Sequence, residues 1–119
     1  MSVINMKPII RQIVLQSDVK KCLTTYPDTF NDLPIAVYST ETTPVFIDNE
    51  KEEYRTLWKA TIDLIGTGKL TDIAMDICSN LRKNGFVCRS QDANIDGLSR
   101  VIITATVLVD NNLNMTFNP

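Results

Sequence analysis

The sequence predicts an α+β domain: a single, mostly antiparallel, four-stranded sheet with helices packed on one face. Residues 54–64 alternate between two sets of side chains, and the set that contains Trp58 and Ile62 is apolar. This two-residue period is that of a strand with one buried face, so we expect Trp58 to lie in the core beneath a helix. Residues 70–83 instead place apolar side chains three and four positions apart, the period of a helix that lies on a core.

Turn and strand signals complete the predicted order of elements. Pro8 is a favourable first helical residue, and Ser17 is a candidate N-cap for a short second helix that includes Cys22. Pro27 ends this helical part, because proline cannot continue a helix. Further strands are predicted over residues 35–40, 86–90 and 100–109, and polar loops over residues 48–53 and 92–97.

The composition is that of one globular domain. The 119 residues are 44% hydrophobic and 22% charged, which supplies enough apolar side chains for one core. We assign residues 1–110 to this domain and the polar residues 111–119 to a flexible C-terminal tail. The 12 basic and 14 acidic residues give a net charge of −2, and this balance argues against binding nucleic acid through bulk positive charge.

The residue types exclude much of enzyme chemistry. The chain has no histidine, which excludes histidine acid–base catalysis, nucleophiles paired with histidine and histidine-ligated metal sites. The three cysteines, Cys22, Cys78 and Cys88, form no CxxC motif and are expected to be reduced thiols. Arg11 interrupts the apolar N-terminal stretch, which is too short for a membrane span. We therefore expect a protein made in the cytoplasm, without enzymatic activity or a cofactor.

Two motifs resemble ligand sites but are incomplete. Residues 66–69 read Gly-Thr-Gly-Lys, yet Leu70 stands where a phosphate-binding loop needs serine or threonine. Asp92, Asn94 and Asp96 match the first half of a calcium loop, but Ile103 stands where the bidentate glutamate belongs. A glycine turn and a connecting loop explain these motifs better, and a small calcium- or ligand-binding module stays open as an alternative.

Charged residues gather in two places that we take as a candidate subunit or partner interface. The acidic residues are Asp48, Glu50, Glu52 and Glu53. The basic ones are Lys20 and Lys21, with Lys7 and Arg11 nearby in the sequence. A solvated surface explains most charge runs. The other interpretation is that the two patches meet on neighbouring copies of the chain.

The order of features resembles that of a known family. Tyr26-Pro27-Asp28 follows the N-terminal helical part, and Leu33-Pro34 opens the strand that includes Tyr38. A polar loop, a long strand, the helix over residues 70–83 and Gly85-Phe86 come next. In this order the chain is similar to the tail-terminator, or tail-completion, proteins of long-tailed bacteriophages. The asparagine-rich residues 111–114 depart from that pattern.

The resemblance implies a structural protein of the virion tail. Such proteins form rings, usually hexameric, at the head-proximal end of the tail tube, where they stop its polymerisation and meet the head connector. The implied partners are further copies of the chain, the tail tube protein and the head connector or completion protein. The resemblance implies no enzymatic activity, no sequence-specific nucleic acid and no membrane. A head-completion or connector-adaptor protein needs the same kind of ring and stays open as an alternative.

Overall fold

The computed structural model describes residues 2–47 and 49–119, and in these residues it contains two helices and six strands. In chain order they are α1 (Lys7–Leu15), β1 (Lys21–Leu23), β2 (Ile35–Ile47), β3 (Glu53–Gly66), α2 (Thr71–Lys83), β4 (Val87–Ile95), β5 (Leu98–Asp110) and β6 (Met115–Phe117). The predicted α+β class is confirmed. The sheet, however, has six strands rather than four, and it is mixed.

The strands form one sheet in the order β1-β2-β3-β5-β4, with β6 also paired to β5. β1 runs parallel to β2, and every other described pair is antiparallel. β3 occupies one side of β5 along almost its full length. β4 and β6 share the other side: β4 pairs with the first nine residues of β5, and β6 pairs with its last three. One boundary of the sheet is therefore β1 and β2, and the other is β4 and β6.

The main core lies between the two helices and one face of the sheet. Ile10, Ile13 and Val14 of α1 enter it, as do Ala74, Ile77, Cys78 and Leu81 of α2. The alternation in β3 places Trp58 on this face, with 5% of its surface exposed, as the sequence predicts. Apolar side chains at helical period on α1 and α2 and at period two on β3 and β5 thus meet in one layer.

A smaller core lies on the opposite face of the sheet. Ile35, Val37 and Ile65 are buried there, and the segment 24–34 covers them with Phe30 and Leu33. This segment approaches β3 closely at Gly66: a Cβ atom there would lie 2.8 Å from Leu70 Cδ2 and 3.1 Å from Pro34 Cβ. Glycine at position 66 therefore permits the two cores to close at this corner.

The predicted short helix after Ser17 is wrong, because residues 21–23 form β1 instead. The Lys20 N–H donates to Pro34 O at 2.8 Å, and residues 21–23 then pair with residues 35–37 of β2. A three-residue strand has almost no periodicity of its own. Its conformation is set by the backbone groups of β2, which is why the local capping signal failed.

The predicted loop over residues 92–97 is also wrong. β4 extends to Ile95 and β5 begins at Leu98, so Asp92 and Asn94 are strand residues. Only Asp96 and Gly97 form the turn, with φ of 49° and 76°. Two residues at positive φ form the hairpin turn that matches the twist of the strands, and Asp-Gly favours it. β2 is likewise longer than predicted and reaches Ile47.

The tail takes part in the fold. Asn111 is buried, and residues 115–117 pair with β5 as β6. The flexibility assigned to residues 111–119 stays a prediction. No helix within residues 2–47 and 49–119 combines the length and the hydrophobicity that crossing a membrane requires.

Candidate interaction surfaces

The acidic residues of the candidate interface surround the connection between β2 and β3. Glu50 lies in the turn, Glu52 follows it, and Glu53 is the first residue of β3. Asp48 lies outside the described residues. Lys51 adopts a φ of 64°, which reverses the chain direction within a short connection. The strands on each side carry this acidic turn to one end of the sheet.

Lys20 and Lys21 lie at the opposite end of the same boundary. Lys21 is in β1 and forms an exposed ion pair with Asp32, with 3.1 Å between Nζ and Oδ2. β1 pairs with the first three residues of β2, whereas the acidic turn follows its last residue, Ile47. About ten residues of strand, on the order of 33 Å, separate the two patches. The structure does not bring them together within one chain, and their contact between copies stays a prediction.

The two boundaries of the sheet expose unpaired backbone. From Ser39 to Ile47 the outer side of β2 has no strand partner among the described residues, since β1 ends at Leu23, which pairs with Val37. The outer side of β4 has none in that part of the chain either. Unpaired strand edges are templates for pairing with another chain. Pro44 has no N–H group to donate to a neighbouring strand. Proline within a sheet is found mainly on edge strands or at bulges, which agrees with the position of β2.

Exposed apolar side chains flank the same end of the sheet on both boundaries. On the β2 side they are Val45, Phe46 and Ile47, each more than half exposed, and on the β6 side they are Leu113, Met115 and Phe117. The strand register sets them level: Phe46 pairs with Arg55, Arg55 with Asp110, and Asp110 with Met115. Between them lies a cavity of about 230 Å³, lined in part by Phe46, Tyr54 and Leu113.

Basic side chains accompany β6. The Thr116 hydroxyl donates to Asn84 O at 2.9 Å, which holds β6 against the C-terminal end of α2. Arg82 and Lys83, both exposed, immediately precede Asn84, and Arg89 is exposed on β4. Residues 79–91 include these three basic residues and no acidic one. The charge beside β6 is therefore opposite to that of the acidic turn, whereas exposed Asp92 lies further along β4.

A buried ion pair that the sequence does not reveal lies on the face opposite the helices. Asp63 is 3% exposed and accepts from Arg100, whose Nε and Nη2 lie 2.6 and 2.7 Å from its two carboxylate oxygens. The Tyr26 hydroxyl also donates to Asp63. The bond to Asp63, followed by burial, raises the pKa of Tyr26 above its ordinary value. This cluster ties the segment 24–34 to β3 and β5 and engages both carboxylate oxygens of Asp63.

A second polar network joins the start of β3 to the tail. The Asn111 amide donates to Glu53 O and to the Thr56 hydroxyl, both at 3.0 Å, and its oxygen accepts from the Ile4 N–H at 3.0 Å. Asp110 accepts from the backbone N–H groups of Leu113 and Asn112. The bond from Leu113 is the first cause that lowers the pKa of Asp110. The asparagine-rich sequence thus closes the end of the sheet.

The cysteines are placed for packing rather than for reaction. Burial raises the pKa of the Cys22 thiol to about 11. Burial, together with the neighbouring Cys78, raises that of Cys88 to about 12. A thiol with so high a pKa carries almost no thiolate near neutral pH, and the thiolate is the nucleophile.

The two incomplete ligand motifs, the glycine turn at residues 66–69 and the calcium-like motif on β4, line the same shallow cavity of about 310 Å³. Gly68, Lys69, Asp92 and Asn94 line it, and Asp96 belongs to the hairpin turn. The incomplete calcium motif is therefore part of a β-hairpin rather than of a continuous loop. In the described residues, no group of three or more histidine, cysteine, aspartate or glutamate side chains is placed to hold a metal ion.

No protein-family model matches the chain, and a search of curated proteins finds no match to it.

Proposed function

We propose that this chain is a structural protein that assembles head-to-tail into a ring, of the kind that terminates the tail tube of a long-tailed bacteriophage. One observation carries the proposal: the sheet ends in two unpaired edges formed by different strands, β2 on one side and β4 on the other. Contacts between two unlike surfaces are heterologous, and heterologous contacts close into rings when the rotation allows. The order of sequence features that resembles tail terminators supports this type of ring.

The charge and the apolar residues of the two boundaries support the same assembly. Acidic Glu50 and Glu52 lie on one boundary, and basic Arg82 and Lys83 lie on the other. Contact of the acidic turn with its own copy would oppose like charges, whereas contact of the acidic turn with Arg82 and Lys83 of another copy opposes unlike ones.

The proposal is tested by adding purified protein to polymerising tail tube protein of the same phage. We expect closed rings, hexameric in the proposed assembly, in native mass spectrometry and electron microscopy. We also expect tubes that shorten as the amount of added protein rises. The matched control is an equal amount of the Phe46→Asp variant, which alters one boundary only. Monomers and symmetric dimers alone, with unchanged tube lengths at every concentration, would contradict the proposal.

A further inference from the structure

We infer that the ring is closed by the tip of the β2–β3 hairpin of one copy, which docks on the β6 boundary of the next copy. The arm tip consists of Val45, Phe46, Ile47 and residues 49–53, which include Glu50, Glu52 and Glu53. The β6 patch consists of Leu113, Met115, Phe117, Arg82, Lys83 and Arg89. This inference rests on the proposed function for the presence of a ring, and it adds which surfaces meet.

The register of the sheet supports this choice of occupant. Phe46, Arg55, Asp110 and Met115 follow one another across four strands at one level. In a ring, each copy is rotated about the ring axis with little shift along it. The β2 boundary of one copy therefore meets the β6 boundary of the next copy at the height of these four residues. The arm tip of one copy then faces the β6 patch of the next, and apolar side chains meet on both sides. These residues are 38–57% exposed in the single chain.

Charge complementarity supports a second copy as the occupant. Residues 45–54 contain Asp48, Glu50, Glu52 and Glu53 against Lys51 alone. The residues that flank the β6 patch, 79–91, contain only basic charges, and residues 111–119 contain none. Opposite charges around an apolar centre give both a water-excluded contact and a fixed orientation. Contact of two arm tips with each other would instead oppose acidic residues.

The test uses two variants of the full chain, Phe46→Asp in the arm tip and Met115→Asp in the β6 patch. Each variant alone is expected to stay monomeric, with the midpoint concentration of assembly raised tenfold or more. An equimolar mixture is expected to form a 1:1 heterodimer and nothing larger. The reason is that one variant keeps a working patch and the other a working arm tip, so only a single contact forms. Native mass spectrometry and sedimentation measure both results.

Controls separate folding from assembly. Circular dichroism and denaturant midpoints of both variants should match those of the wild type, because Phe46 and Met115 are about half exposed. Met75→Asp changes an exposed methionine on α2 and should leave assembly unchanged. Met75 is 66% exposed, against 50% for Met115, and lies nine residues before Asn84, or about 13 Å along a helix. A charge pair adds an independent test: Glu50→Lys and Lys83→Glu should each weaken assembly, and the double variant should restore it.

The outcomes separate this inference from the proposed function. Wild-type rings together with variants that assemble normally would overturn the docking of the arm tip and leave the ring standing. A mixture that stays monomeric would also overturn it. A wild-type chain that never assembles would overturn both proposals. Rings closed by arm and patch that leave tube length unchanged would support the inference and contradict the tail-terminator role.

Discussion

At the scale of single residues, the alternation in β3 predicts that truncating two neighbouring side chains has very different effects on stability. Trp58 is 5% exposed in the main core, whereas Lys59 is exposed on the other face. We expect Trp58→Ala to lower the free energy of unfolding by about 3–5 kcal/mol, because it removes a large buried aromatic side chain. Lys59→Ala should change it by about 0.5 kcal/mol or less. Urea unfolding measures both. An unchanged midpoint for Trp58→Ala would mean that the indole does not pack in the core.

Tyr26 gives a second prediction at the same scale, one that depends on pH. Its hydroxyl donates to Asp63, and this bond raises the pKa of Tyr26 above the ordinary value of 10. A raised folded pKa means that the stabilisation is complete below pH 10 and is lost as the pH rises through the raised value. Wild type should therefore exceed Tyr26→Phe in stability at about pH 8, and the excess should shrink by about pH 11. A constant difference would show that the hydroxyl does not hold Asp63.

At the scale of elements, the end of β3 and the tail depend on one amide. The Asn111 side chain makes hydrogen bonds with the Ile4 N–H, the Glu53 carbonyl and the Thr56 hydroxyl. Replacing it leaves buried donors and acceptors without partners, which typically costs about 1–3 kcal/mol for each unsatisfied group. We expect Asn111→Ala to lower the unfolding free energy by at least about 1 kcal/mol. Asn112→Ala, at an exposed position, is the matched control and should have almost no effect. Equal midpoints for the two variants would contradict the network.

The elements also show what a sequence can and cannot predict. The period of residues 54–64 and that of residues 70–83 predicted β3 and α2, because long amphipathic segments carry their own signal. β1 lacked such a signal, since three residues take their conformation from pairing with β2. The same alternation assigns Asp63 to the face opposite Trp58, which the pattern predicts to be wetter, but the segment 24–34 covers Asp63 there. No local sequence pattern predicts this burial of Asp63, because it depends on contacts between β3 and a segment about 30 residues earlier in the chain.

The charged residues of the candidate interface also show that long-range strand pairing is not visible in the sequence. The sequence grouped Lys20 and Lys21 with the acidic residues through charge alone. The sheet places both groups on one boundary, and it places Arg82 and Lys83 at the other. Charge is visible in a sequence, but the boundary on which a charge lies follows from strand order. Strand order is set by long-range pairing, such as that of β3 with β5.

At the scale of the whole molecule, the shape and the charge distribution determine how assembly should respond to salt. The chain is elongated, 52 × 27 × 20 Å, and the acidic arm tip and the basic β6 patch lie on opposite boundaries of the sheet. The Debye length falls from about 10 Å at 0.1 M ionic strength to about 3 Å at 1 M. Attraction between the acidic arm tip and the basic β6 patch should therefore weaken as salt rises, and the midpoint concentration of assembly should increase. Sedimentation at graded sodium chloride concentrations measures this, and Glu50→Lys should flatten the dependence. Assembly that strengthens with salt in the wild type would show that the apolar residues alone hold the contact and that the charges do not orient it.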